Sequence, residues 1–368
     1  NAASGGASGN IFTIASASTW GSSASTNIGT MTFNSDYVFQ VTGSTTTTIN
    51  LNAITIAANT KLSLSNSPTL AFVANVASNG ATISGAGASS VLSMDQITGS
   101  STDFKRVTID RVTITNLSIN LSGTGAGGYK GFVVSAGTST IGANITNNTT
   151  DALVLGANSG TTLNLYGVVS GSGRVSFASG ASGGAGTYNL YSANTYTGNT
   201  EINGGTNSVV RLQTNNALST VALLQHGTVS GQGGAIDLNG FNQTVAGLSG
   251  TTAGMGRMTN SAAGLSTLTV NQSTDTSYGF SDARFGIGGN LALVKTNAGN
   301  LTLVGSNNYS GGTTISGGTL TASNASALGT GSVTVNSGTT LSVRANVTNT
   351  VANSGTVSIG SGGTLTAA

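Results

Sequence analysis

Cysteine is absent, which excludes disulfide staples, thiolate metal sites and a cysteine nucleophile. Histidine occurs once, at His226, so multi-histidine metal centres and His-based triads are all but excluded. The local sequence Gln225-His226-Gly227 reads as a turn. Charge is scarce as well. Only 5% of residues are charged, against roughly 25% in an average soluble protein. The 11 basic and 9 acidic residues are spread thinly, and no Lys/Arg cluster is dense enough for a nucleic-acid footprint. The nearest grouping, Lys105-Arg106 with Arg111, is flanked by Asp103 and Asp110 and reads as a local ion-pair set on a solvated face. Proline occurs once, at Pro68. No apolar run approaches the ~20 residues of a membrane helix, so no integral membrane segment is expected.

Acid chemistry is equally thin. Glu201 is the one glutamate, and Asp275 and Asp282, with Arg284 nearby, form the closest approach to a carboxylate pair. No second motif supports it, so catalytic, cofactor-binding and metal-binding residues are each expected to be none. Calcium-binding nonapeptides would need an Asp per turn. Gly171-Ser172-Gly173 and Gly286-Ile287-Gly288-Gly289 look like phosphate-loop fragments only because glycine is abundant, and no helical pattern follows them.

What the chain does have is glycine, 56 of 368 residues, and hydrophobic residues at 37%, alternating with Thr, Ser and Asn. Met31-Thr32-Phe33, Ile49-Asn50-Leu51, Ile54-Thr55-Ile56, Leu62-Ser63-Leu64 and Leu117 to Leu121 read as period-two strands, with Gly and Asn at the corners between them. No window carries a 3.6-residue stripe. The apolar triplets recur every 8–12 residues or so, within a coarser rhythm of roughly 20–25 residues that suits one coil of a solenoid.

Two segments are near copies. Asn194, Tyr196, Gly198, Ile202, Gly204 and Gly205 align with Asn307, Tyr309, Gly311, Ile315, Gly317 and Gly318, and Gly312 completes the second copy. Tyr309 follows Tyr196 by 113 residues, which is several coils. A repeated supersecondary unit fixes the architecture of the whole chain. The fold expected is all-β, an elongated parallel β-helix (β-solenoid), with Leu, Val and Ile stacked inside and Gly and Asn turning the corners. The repeated tyrosines read as packing over a coil rather than as sugar platforms, and Trp20 and Phe33 read as plugs for the first coil.

The run Asn307-Asn-Tyr-Ser-Gly-Gly-Thr-Thr-Ile-Ser-Gly-Gly-Thr-Leu320, followed by Ala327-Leu-Gly-Thr-Gly-Ser-Val-Thr-Val335, is similar to the autotransporter-associated β-strand repeat of bacterial passenger domains. Ile236 to Ser249 resembles another recurring segment of such proteins. The resemblance covers residues 153–368 well and 11–150 by texture. It implies a right-handed β-helix exposed on, or released from, the surface of a Gram-negative bacterium. The family's C-terminal outer-membrane barrel is not part of this sequence.

The organisation expected is a flexible arm at 1–10, divergent coils at 11–150, and repeat-bearing β-helix at 151–368. The opening Asn1-Ala-Ala-Ser-Gly-Gly reads as a processed terminus, and the closing Gly360 to Ala368 as an uncapped strand that another copy could extend. The function expected is a non-enzymatic, extracellular structural or adhesive solenoid that self-assembles head to tail through its terminal coils. The alternatives are an adhesin module binding cell-surface or extracellular glycans, and a β-helical polysaccharide lyase or hydrolase.

Overall fold

Period-two alternation in the sequence becomes inside-outside alternation in space. In strand Ser266–Asn271 the side chains of Ser266, Leu268 and Val270 are buried while Thr267, Thr269 and Asn271 face outward. Strand Leu291–Thr296 repeats this with Leu291, Leu293 and Lys295 inside, and it pairs in parallel with Ser266–Asn271 so that Leu268 sits beside Leu293. A strand reads this way because successive side chains point to opposite faces, and parallel pairing places like faces over one another about 4.8 Å apart.

The computed structural model of the chain describes all residues except 1–9, 16–23, 43–46, 66–69, 75–79, 97–103, 122–128, 151, 179–184, 228–232, 251–254, 280–284 and 367–368. Trp20, Pro68, Asp103, Asp282, Arg284 and nearly all of the expected arm therefore lie outside the described residues, although Asn10 already opens strand Asn10–Ala15. Among the described residues every regular element is a β-strand, and the strands are stacked in parallel from coil to coil. The protein is a β-solenoid.

The described residues gather into two compact units. One holds residues 1–188 with 196–198, and the other holds 189–195 with 199–368. The first unit contains a seven-stranded parallel sheet. Its register runs Phe39↔Leu64, Leu62↔Leu92, Leu92↔Ile119, Ile119↔Ile145 and Ile145↔Val169, so its coils are 24 to 30 residues long. In the second unit Leu301, Leu320, Leu341 and Val357 stack in one column at intervals of 16 to 21 residues. The coils are thus more variable than the expected rhythm of roughly 20–25 residues, running up to 30 in the seven-stranded sheet and down to 16 towards residue 365.

Leu301, Leu320 and Leu341 are fully buried, each contributing about 1.5–3 kcal/mol of apolar burial. Corners use residues that accept left-handed backbone. Asn59, Asn116, Asn216, Asn239 and Asn297 all have φ between 50° and 61°, a region that Asn visits at little cost. Gly167 is required for another reason, because a Cβ there would lie 1.8 Å from the Ala143 carbonyl oxygen of the preceding coil.

Aspartates close other corners by accepting hydrogen bonds from the next coil. Asp110 accepts from the Ser135 amide at 2.7 Å, the Ala136 amide at 2.9 Å and the Ser135 hydroxyl at 2.7 Å. Asp237 accepts from the Ser261 amide at 3.0 Å and the Ser261 hydroxyl at 2.7 Å, and from Arg211 Nε at 3.1 Å.

Truncating an inward side chain removes its transfer energy and leaves a cavity. Leu320→Ala is expected to cost about 2–5 kcal/mol in chemical denaturation, while outward Thr269→Ala stays within about 0.5 kcal/mol. Equal losses at the two positions would contradict the inside-outside assignment.

Candidate functional site

The repeated motif is built as a corner clamp. The Asn307 side chain joins three coils. Its Oδ1 accepts from the Ile287 amide at 2.7 Å and its Nδ2 donates to the Ala327 carbonyl at 2.6 Å. In the first copy Asn194 Nδ2 donates to the Ala217 carbonyl at 2.5 Å and to the Ser192 carbonyl at 3.3 Å. Ala217-Leu218 and Ala327-Leu328 are the corresponding residues of the two copies, so the same contact recurs. A buried amide that satisfies backbone groups of neighbouring coils removes a desolvation cost.

Tyr196 and Tyr309 are both fully buried. Tyr309 Oη lies 2.6 Å from Thr313 Oγ1, and its ring packs on Gly329, where a Cβ would come within 2.9 Å of the ring. Burial pushes the Tyr309 hydroxyl above the usual phenol range. A side chain so enclosed presents no face to a sugar. Ile202 and Ile315 are buried beside them.

Gly198 and Gly311 press on the backbone of the preceding coil, and an added Cβ would lie 2.5 Å from Gly173 and 2.8 Å from Ala292. Gly312 and Gly318 carry φ of 85° and 60°. A Cβ added at Gly317 would lie 2.4 Å from the Asn297 amide nitrogen and one at Gly204 2.6 Å from the Ser208 Cβ, and the Gly205 carbonyl accepts from the Ser208 amide at 2.8 Å. The motif residues thus lie at corners and coil contacts in both copies.

The acidic candidates are dispersed. Asp275 is exposed and its Oδ1 accepts from the Asn300 amide at 2.8 Å. Asp282 and Arg284 fall outside the described residues. Glu201 is buried, with Asn203 Nδ2 at 3.4 Å from its Oε2. Burial alone would raise the Asp237 carboxyl, but its bonds from Ser261, Arg211 and Asn239 outweigh this and hold it below the ordinary carboxylate value. Among the described residues no group of three or more His, Cys, Asp or Glu side chains could hold a metal.

Two buried residues stand out, and the first departs from the sequence reading. His226 is not a turn residue: it ends strand Leu223–His226 and is fully buried. The alternation Leu224, His226 carries it inside, a signal that the following glycine obscured. Lys295, in strand Leu291–Thr296, is fully buried as well. Its Nζ donates to the carbonyls of Thr296 at 2.8 Å, Asn297 at 2.9 Å and Gly317 at 3.2 Å. Desolvation lowers its pKa to about 8, partly opposed by the negative charge of Asp275.

The surface feature best suited to a ligand is a groove of about 560 Å³ in the second unit. Strands Met255–Asn260, Phe285–Gly289 and Asn308–Tyr309 pair there with Arg257 beside Gly286, Thr259 beside Gly288, and Gly288 beside Asn308. Glycine backbone lines much of it, and the exposed Arg257, Asn207 and Asn308 offer hydrogen-bonding groups. Among the described residues that line it there is no carboxylate and no aromatic ring.

Comparison with known proteins agrees with the repeat. Residues 183–206 and 293–322 match the family described as Passenger-associated-transport-repeat, and these two segments hold the two copies of the repeated motif. The chain is also 32% identical over 213 residues to the Adhesin BmaC autotransporter of Brucella suis biovar 1 (strain 1330). That match covers 57% of this chain and 5% of the length of the relative. No solved structure matches the chain.

The clamp makes a graded expectation. Tyr309→Phe, which loses only the Thr313 contact, should cost about 1 kcal/mol, whereas Asn307→Ala should cost about 2 kcal/mol or more because it strips partners from the Ile287 amide and the Ala327 carbonyl. Thermal unfolding of the two variants checks the order.

Proposed function

We propose that this chain is a non-enzymatic adhesive segment of a passenger protein displayed on, or released from, the surface of a Gram-negative bacterium. The observation that carries this reading is the similarity over 213 residues to an autotransporter adhesin, joined to the repeated passenger motif. The physical setting supports it. A solenoid whose outer face is Thr, Ser and Asn offers a weakly charged surface, and the exposed side chains of its coils can vary without disturbing the inward stack.

Within this proposal the Arg257 groove is the glycan contact. Arg257, Asn207 and Asn308 supply donors and acceptors for sugar hydroxyls, and no carboxylate stands among the described lining residues to serve hydrolysis. Self-association is a second part of the proposal, supported by the general ability of parallel strand stacks to grow by edge addition.

Purified protein should bind a restricted set of glycans on an array, with Arg257→Ala lowering affinity about tenfold and leaving the melting temperature unchanged; loss of one charge-assisted bond is of that size. No binding by the wild-type chain, or unchanged binding by the variant, would remove the groove from the proposal. Light scattering across a concentration series tests the second part: growth into rods supports it and a monomer throughout refutes it. Turnover of a polysaccharide that is abolished by Asp275→Ala would replace the non-enzymatic reading.

A further inference from the structure

His226 sits in the interior of the second unit with no polar partner. Neither Nδ1 nor Nε2 has a hydrogen-bond partner among the described residues, and the side chain is fully buried. Its surroundings are shaped to the ring. In register it lies between Ile202 of one neighbouring strand and Gly250 of the other. Gly256 packs on the imidazole, and a Cβ there would lie 2.4 Å from its Cδ2. The Tyr278 ring stands 5.6 Å away at 54°, and Gly250 makes room for it, with an added Cβ falling 3.4 Å from Cδ2 of that ring. The Tyr278 hydroxyl is likewise buried and without a partner among the described residues.

The charged and titratable groups on the strands around it do not face the imidazole. Glu201, on strand Thr200–Asn203, is registered with Gln225 rather than with His226, and so lies on the opposite face from Ile202. Arg257, next to Gly256 on strand Met255–Asn260, is exposed at the groove. Strand Gly247–Gly250 carries no titratable residue. Asp275, which precedes strand Thr276–Tyr278, is exposed and bonded to the Asn300 amide. Tyr278 itself is a neutral phenol, pushed above its usual range by burial.

We propose that His226 is an acid-sensitive latch: a proton on its imidazole has no counter-charge in the core and opens the strands packed around it, Leu223–His226, Gly247–Gly250 and Thr276–Tyr278. The adhesive surface would then be held in one form at neutral pH and loosened in acid, in the part of the chain that also carries the Arg257 groove.

Burial lowers the imidazole from its ordinary 6.5 to about 3. The folded form therefore binds fewer protons than the open form once the pH drops below 6.5. Stability present above pH 6.5 is lost as the pH falls and levels off near pH 3. Across that span the opening equilibrium rises by about tenfold per pH unit. Asp237, held below its ordinary 3.8, loses its contribution as the pH falls below about that value, in the acid end of the same window.

Hydrogen exchange on the full chain between pH 7 and pH 4.5, corrected for intrinsic rates, tests the latch. Protection of residues 223–226, 247–250 and 276–278 should fall about a hundredfold over the two pH units below 6.5, and His226→Phe should flatten that response. A wild-type profile that is itself flat, or the same fall in the variant, would overturn the proposal. If the variant does not fold, NMR titration of the wild-type imidazole decides. A ring that stays neutral down to about pH 4 while these strands lose protection supports the latch, and a ring that titrates near its ordinary value with protection intact sinks it.

Discussion

Parallel registry between coils is the constraint on which everything else in this molecule rests. Once Leu301 is placed beside Leu320 and Leu320 beside Leu341, each inward position inherits the chemistry of its column. Backbone donors and acceptors are used up between coils, so the structure needs few ion pairs. That is why a chain with 5% charged residues can form an ordered stack. The same registry is unforgiving at close contacts. Where a corner brings backbone onto backbone, as Gly167 does on Ala143, a methyl group has no room.

Polar side chains enter the interior only on conditions that this registry sets. Asn307 enters because its amide serves the backbone of the coils on either side. Lys295 enters because its ammonium finds three carbonyls at one corner. Gln243 does the same through the Leu218 backbone, accepting from its amide and donating to its carbonyl, both at 3.0 Å. His226 follows the alternation of its strand inward without meeting such a partner. A buried polar group without a partner costs about 1–3 kcal/mol, and a buried charge costs more. Among the described residues the interior therefore contains satisfied polar groups that fix corners, together with a few buried polar atoms without partners, the imidazole of His226 and the hydroxyl of Tyr278 among them.

This separation explains why the repeated motif and the candidate binding surface are different residues. Asn194, Tyr196, Asn307 and Tyr309 are buried, and their contacts are coil contacts. Arg257, Asn207 and Asn308 stand outside, where a substitution disturbs no stack. Solenoids divide labour in this way because each coil touches only its neighbours. The inward half of each strand is tied to the fold, and the outward half is free to meet a partner.

The sequence by itself determined the architecture. Period-two alternation, glycine and asparagine corners and the repeat at 113 residues leave little besides a stacked β-solenoid, and these signals are local, so they can be read from residues a few positions apart. Tertiary structure decided what the local pattern cannot carry. Coil length changes along the stack, from 29 residues between Met258 and Ile287 to 16 between Leu341 and Val357, because register is set by which strands meet, not by spacing along the chain. Gln225-His226-Gly227 looks like a turn in one dimension, yet His226 lies inside because the alternation beginning at Leu224 is enforced by Ile202 on one side and Gly250 on the other. The groove at Arg257 could not be found from sequence at all. Residues 207, 257, 286 and 308 come together only through the stacking of successive coils, and their separations along the chain record the lengths of those coils, not any motif.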